Sequence, residues 1–232
     1  MRILKSILSS LVASLLLVSA VPATASTWSW SAPIDLSVSG QAAGSPQVVV
    51  DSTGLVTAIW WGDNGENRII QSSTSQSGGT WSTPVPISAL GGDGAQPELA
   101  VDSTGLVTAI WTRSNGSSYI IQSSTRPRGG TWSAPVDLSL NGSNAWNPQV
   151  AVDSTGLAIA VWDRYVSTHN RIQVSTRPLG GTWSAAVNLS PEGQSASDGK
   201  IVVDASGLAT VIWIRNSILQ ASNLPRGGSW ST

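Results

Sequence analysis

Val50-Asp51-Ser52-Thr53-Gly54-Leu55 recurs almost unchanged every 51 residues. It returns at 101–106 and 152–157, then as Val203-Asp204-Ala205-Ser206-Gly207-Leu208. A Trp-Ser pair keeps the same interval at Trp30, Trp81, Trp132 and Trp183, and appears again at Trp230. A repeat of this length is one supersecondary unit stacked several times. Residues present in every copy therefore build the unit, and residues that break the pattern are where individual function resides.

Within the second copy, 96–102 reads as a short strand and Asp102-Ser103-Thr104-Gly105 as a tight hairpin turn. Asp accepts a backbone hydrogen bond at the first turn position and Gly tolerates positive φ at the last, as in a type I turn with a bulge glycine. Residues 106–111 are apolar and β-branched, as strands are. A third strand is expected over 119–125, the Arg128-Gly129-Gly130 turn follows, and 132–139 forms a fourth. Four short antiparallel strands per unit make an all-β chain, a β-propeller of four four-stranded blades of about 51 residues each. The rival is a linear β-solenoid, whose turns are shorter.

The blades are expected near 46–88, 97–139, 148–190 and 200–232 within a repeat domain spanning 26–232. Residues 28–37 copy a fourth strand with no preceding blade and are expected to close the ring. A further fourth strand begins at Ser229, so two readings stay open: a closed four-blade ring, or an open fragment of a larger propeller.

The first 25 residues are set apart as a signal peptide. Arg2 and Lys5 precede an apolar stretch, and Ala23-Thr24-Ala25 offers the small-x-small cleavage pattern. Localisation is then secreted, periplasmic or cell-surface, with no membrane association after cleavage. Taking 25 residues from 232 leaves 207, with the 12 basic residues reduced to 10 against 13 acidic ones, a formal charge of −3. That balance argues against nucleic acid as a partner, which calls for a basic stripe. With no Cys, disulfides and thiolate chemistry are excluded, and a single His (His169) excludes a histidine-rich metal centre. No cofactor and no metal are expected. Nine of the 12 Trp fall on the repeat and read as packing devices.

The segment Ser124-Thr125-Arg126-Pro127-Arg128-Gly129-Gly130-Thr131-Trp132 resembles the Asp-box repeat of bacterial sialidase-like propellers. The match recurs at 175–183, at 73–81 and, weakly, before Trp230. The box Asp is missing, since Arg126, Arg177 and Ser75 stand near its place. The resemblance implies architecture, because such boxes lie away from the family's catalytic centre. It also implies what a sialidase would need: an arginine triad, a Tyr–Glu pair and an acidic proton donor.

Arg113, Arg164 and Arg215 stand at equivalent positions after the second strand and are candidates to grip an anion bidentately; the plainer reading is a surface arginine copied by duplication. Carboxylates available for glycoside hydrolysis are Asp63 with Glu66, Asp163 and Asp198, with no marked spacing. Gly62-Asp63-Asn64-Gly65-Glu66-Asn67 is oxygen-rich but lacks calcium-loop spacing. Topology places the second-to-third-strand loops and the inter-blade connections on one face, and these segments vary. Candidate ligand-binding residues there are Trp61, Trp146, Tyr165 and His169, beside the three arginines. The sequence thus favours a non-enzymatic, lectin-like binding module for a glycan or cell-surface ligand. The alternatives are a fragment of a sialidase-like glycoside hydrolase, and a surface repeat protein that assembles into an oligomer.

Overall fold

The computed structural model describes residues 29–231. The expected signal peptide 1–25 lies outside them, as does Trp28. The described residues form an all-β chain of four propeller blades and contain no helix. Blade one comprises β1 (Ala43–Val50), β2 (Leu55–Asp63), β3 (Arg68–Gln76) and β4 (Val85–Pro86), and blade two comprises β5 (Gly94–Val101), β6 (Val107–Ser114), β7 (Tyr119–Arg126) and β8 (Val136–Asp137). Blade three holds β9 (Ala145–Val152), β10 (Ala158–Val166), β11 (His169–Arg177) and β12 (Val187–Asn188). Blade four holds β13 (Ala196–Val203), β14 (Ala209–Arg215) and β15 (Ile218–Leu224). Each sheet runs in chain order with antiparallel neighbours. The closing strand expected over 28–37 does not form at residues 29–37, which carry no strand.

The repeated turn is the one the sequence predicts. Asp51 O accepts from Gly54 N at 3.0 Å, and Gly54 sits at φ +83°, the left-handed conformation that a bulge glycine supplies without a Cβ penalty. The Asp51 carboxylate accepts from Thr53 N (2.8 Å), Thr53 Oγ1 (2.6 Å) and Leu55 N (3.1 Å). Asp102, Asp153 and Asp204 repeat this arrangement.

Fourth strands are shorter than expected, two ladder residues each in blades one to three. The Trp-Ser serine explains how so short a strand holds. Ser124 Oγ donates to Ser133 O (2.8 Å), and Thr125 N donates to Ser133 Oγ (3.1 Å), so a hydroxyl extends the ladder toward the turn. The same stitch appears at Ser82, Ser184 and Ser231.

Blades pack through alternating faces. The forward face of blade one (Ile59, Ile70, Ile87) meets Ala109 and Trp111 of blade two, with Leu99 and Trp132 beside them. The next two joints repeat it around Trp162 and Trp213. Fully burying each such Ile contributes about 1.5–3 kcal/mol. Polar links cross the same joints: Arg128 Nε lies 2.9 Å from Asp51 Oδ2, and Arg177 Nη2 donates to Thr108 Oγ1 at 2.8 Å. The arginines of the box-like turns therefore serve packing, with Arg126 and Arg177 lying over the rings of Trp132 and Trp183.

Candidate active site on the inner strands

The inner strands β1, β5, β9 and β13 share an unusual feature near the variable-loop face. Ser45, Gln96, Asn147 and Asp198, at the 51-residue interval, all have positive φ of 49–59°. Each marks a β-bulge, where two inner-strand residues oppose one residue of the second strand. None is Gly, and the first three precede Pro46, Pro97 and Pro148, a setting that disfavours helical φ/ψ. Strain of this kind costs about 1–3 kcal/mol per residue and collects at functional sites. The backbone geometry is constant from blade to blade while the side chain changes.

A second row sits beside the first. Gly44 pairs with Trp61, Ala95 with Thr112, Trp146 with Asp163, and Ser197 with Ile214. Three of these second-strand residues hold the bulges. Trp61 Nε1 donates to Ser45 Oγ (3.3 Å), and Thr112 Oγ1 donates to Gln96 Oε1 (3.0 Å). Asp163 accepts from Asn147 Nδ2 (3.0 Å), Asp198 N (3.1 Å) and Gly199 N (3.5 Å). Gln96 Nε2 in turn donates to Asn147 Oδ1 at 2.7 Å, and Gln96 Oε1 accepts from Asn147 N at 3.1 Å. The result is one hydrogen-bonded chain, Thr112–Gln96–Asn147–Asp163–Asp198, crossing three blades.

Two residues further along the inner strands comes a third row: Gln47, Glu98, Gln149 and Lys200. Gln149 Nε2 donates to Glu98 Oε1 at 3.1 Å. Burial raises the Glu98 pKa, against the opposing pull of the Gln149 hydrogen bond and the Lys200 charge. The fully buried Asp163 carboxyl is also pushed up by burial, opposed by the Asn147 amide. Asp198 is exposed. One arc thus carries a half-buried carboxyl whose pKa burial raises (Glu98), an exposed carboxyl (Asp198) and three amide side chains (Gln96, Asn147, Gln149), a set suited to hydroxyl-rich ligands.

The residues expected from sequence fall in different places. Trp61 and Trp146 share one rung: in blade one the large residue is on the second strand opposite Gly44, and in blade three it is on the inner strand opposite Asp163. Trp146, read as a loop residue, lies within β9 beside Asn147. Arg68 lies over the Trp61 ring at 4.8 Å. Arg113, Arg164 and Arg215 each donate to a backbone carbonyl of the preceding connection, Leu90 (3.1 Å), Leu140, and Glu192 (2.8 Å). They fasten the connections. Tyr165 is exposed on β10, and His169 Nδ1 lies 2.7 Å from Thr168 Oγ1 at the hairpin tip. The oxygens of Asp63 and Asn64 accept from Gly65, Glu66 and Asn67 N–H groups of their own loop.

Sequence reasoning weighed Asp163 and Asp198 without joining them and passed over Gln96, Asn147, Gln149 and Lys200. The available signal was the position itself: the 51-residue interval relates Ser45, Gln96, Asn147 and Asp198 although their identities differ.

No protein-family model matches this chain, and none of the curated proteins matches it in sequence. Solved structures do match. A Dyadobacter fermentans protein of unknown function has a TM-score of 0.60 at 14% identity, over 83% of this chain and 69% of the other. A Penicillium chrysogenum α-L-arabinanase, complexed with arabinobiose, has a TM-score of 0.56 at 11% identity, over 80% of this chain and 65% of the other. A polysaccharide lyase of family PL25, an ulvan lyase, has a TM-score of 0.57 at 12% identity, over 80% and 56%. The chain therefore spans between about half and two thirds of the length of those two enzymes. These likenesses establish the β-propeller fold. They also correct the expectation of a non-enzymatic module, since the propellers that share this fold include a glycoside hydrolase and a polysaccharide lyase.

Proposed function

We propose that this chain belongs to an exported glycoside hydrolase acting on a polysaccharide, with its active site on the bulge arc of the inner strands. The observation that carries the reading is Glu98, a half-buried carboxyl with a raised pKa, bound to an amide rather than to a cation and set on the same arc as the exposed Asp198. Two carboxyls in unlike environments are what acid–base cleavage of a glycosidic bond needs. Glu98 gives its proton to the leaving glycosidic oxygen, which keeps the electron pair of the breaking C–O bond. Water adds to the anomeric carbon and passes its proton to Asp198. The two residues stand on strands β5 and β13, two blades apart.

Gln96, Asn147 and Gln149 hold sugar hydroxyls, and Trp146, half-buried beside them, supplies an apolar ring for a sugar face. Polysaccharide as the substrate class is supported by the arabinanase and the ulvan lyase among similar structures. The narrower sialidase-like reading has less support, because the three arginines it would use each bind a backbone carbonyl. The test is incubation with arabinan, ulvan and neutral glycans. New reducing ends without unsaturated products are expected; unsaturated uronate products would replace hydrolysis by elimination, and no cleavage of any polymer would refute the proposal.

A further inference from the structure

The first and fourth blades each present an open packing face, and the two faces belong to the same repeating joint. Ile59, Ile110 and Val161 are each fully buried by the following blade, whereas their equivalent Ile212 is 37% exposed. Ile70, Ile121 and Ile172 are likewise fully buried, whereas their equivalent Leu219 is 63% exposed. Val202 and Ile214 extend the same open face. At the other end, Val48 is 63% exposed although its equivalents Leu99, Val150 and Ile201 all pack against the preceding blade. Val50 beside it is exposed too. Contiguous apolar faces of this kind mark association surfaces.

From this continuity with three existing joints we infer that the open faces dock a second copy of this chain, head to tail, the forward face of blade four on the rear face of blade one. One copy carries both halves of the joint, so two copies satisfy both ends at once and close an eight-blade ring, which ends the heterologous series. This inference stands independently of the hydrolase reading. Two of the internal joints carry an ion pair, Arg128 with Asp51 (2.9 Å) and Arg226 with Asp153 (3.9 Å). The middle joint has Leu179 in the arginine's place, and blade one has Ser77 there. Asp204 would therefore face no cation, and the joint between copies is held by apolar burial.

Light scattering of the full chain tests it, with a dimer expected that is insensitive to added salt. Leu219→Glu alters an exposed residue and is expected to yield a monomer with an unchanged near-ultraviolet Trp signal. Val48→Glu, on the other half of the joint, is expected to do the same, which a head-to-head dimer would not show. A monomeric wild type, a dimer that survives Leu219→Glu or Val48→Glu, or open-ended larger species would each overturn the inference.

Discussion

Asn147 Nδ2 donates to Asp163 Oδ2 at 3.0 Å, and the same carboxylate oxygen accepts from the backbone N of Asp198 at 3.1 Å. A buried carboxyl in blade three thereby holds two strained bulges, its own and that of the next blade. Deleting it takes the partner from the Asn147 NH2 group and from the backbone N–H groups of Asp198 and Gly199.

Asp163→Ala is therefore expected to cost about 1–3 kcal/mol for each buried donor it leaves unpaired. Asp163→Asn, which keeps the shape and one acceptor, is expected to cost less. Urea unfolding followed by Trp fluorescence checks the order; equal, small losses would show that the bulges hold without this carboxyl.

Ser45 stands at φ +49°, and its side chain makes one long bond, from the Trp61 indole. Gly at that position removes the left-handed strain while losing little. Ser45→Gly is expected to be neutral or to stabilise by about 0.5–1 kcal/mol, the opposite of Gly in an ordinary strand. Asn147→Gly, which forfeits the two side-chain hydrogen bonds to Gln96 and Asp163, is expected to destabilise. Melting temperatures of the two variants read the contrast.

The turn aspartates set the acid limit of the fold. The Thr53 hydroxyl, foremost, with the Thr53 and Leu55 N–H groups and Arg128, holds the Asp51 carboxyl below the usual carboxylate range. Asp153 is shifted in the same direction, its hydrogen bonds outweighing burial. A lowered folded pKa means stabilisation that is complete above the ordinary value of 3.8 and is lost as pH falls through the folded one. Asp51→Asn is expected to lose about 1–3 kcal/mol at neutral pH and to flatten the acid limb of the stability–pH curve. An unchanged limb would assign acid unfolding to other groups.

Glu98 behaves in the opposite sense. Its folded pKa is raised by burial, so its contribution is complete below the ordinary value of 4.5 and is lost as pH rises through the folded one. Glu98→Gln is expected to stabilise the fold at neutral pH relative to wild type, with the difference vanishing in acid. A destabilised Glu98→Gln at neutral pH would mean that the carboxylate, not the acid, is the form the arc favours.

The architecture was legible because it repeats. Asp51-Ser52-Thr53-Gly54 declares its turn through residue types that only that hydrogen-bond pattern rewards, and the Trp interval declares the blade. Trp146 misled because its neighbours Asn144 and Asn147 are loop-forming residues; Asn147 is there for the left-handed bulge, not for a loop. The arc escaped notice for a related reason. Ser45, Gln96, Asn147 and Asp198 share a conformation rather than an identity, and conformation is invisible where glycine does not mark it. Arg113, Arg164 and Arg215 fit the plainer of their two readings, each tied to a backbone carbonyl of its own blade's connection.

The central claim is that Glu98 delivers a proton to a glycosidic oxygen, and the turnover of Glu98→Gln on two substrates tests it most directly. On a natural polysaccharide, whose leaving group needs that proton, turnover is expected to fall about 10²–10⁴-fold. On an aryl glycoside whose leaving group departs unprotonated, it is expected to stay near wild type. Equal losses on both substrates, or none on either, would contradict the account.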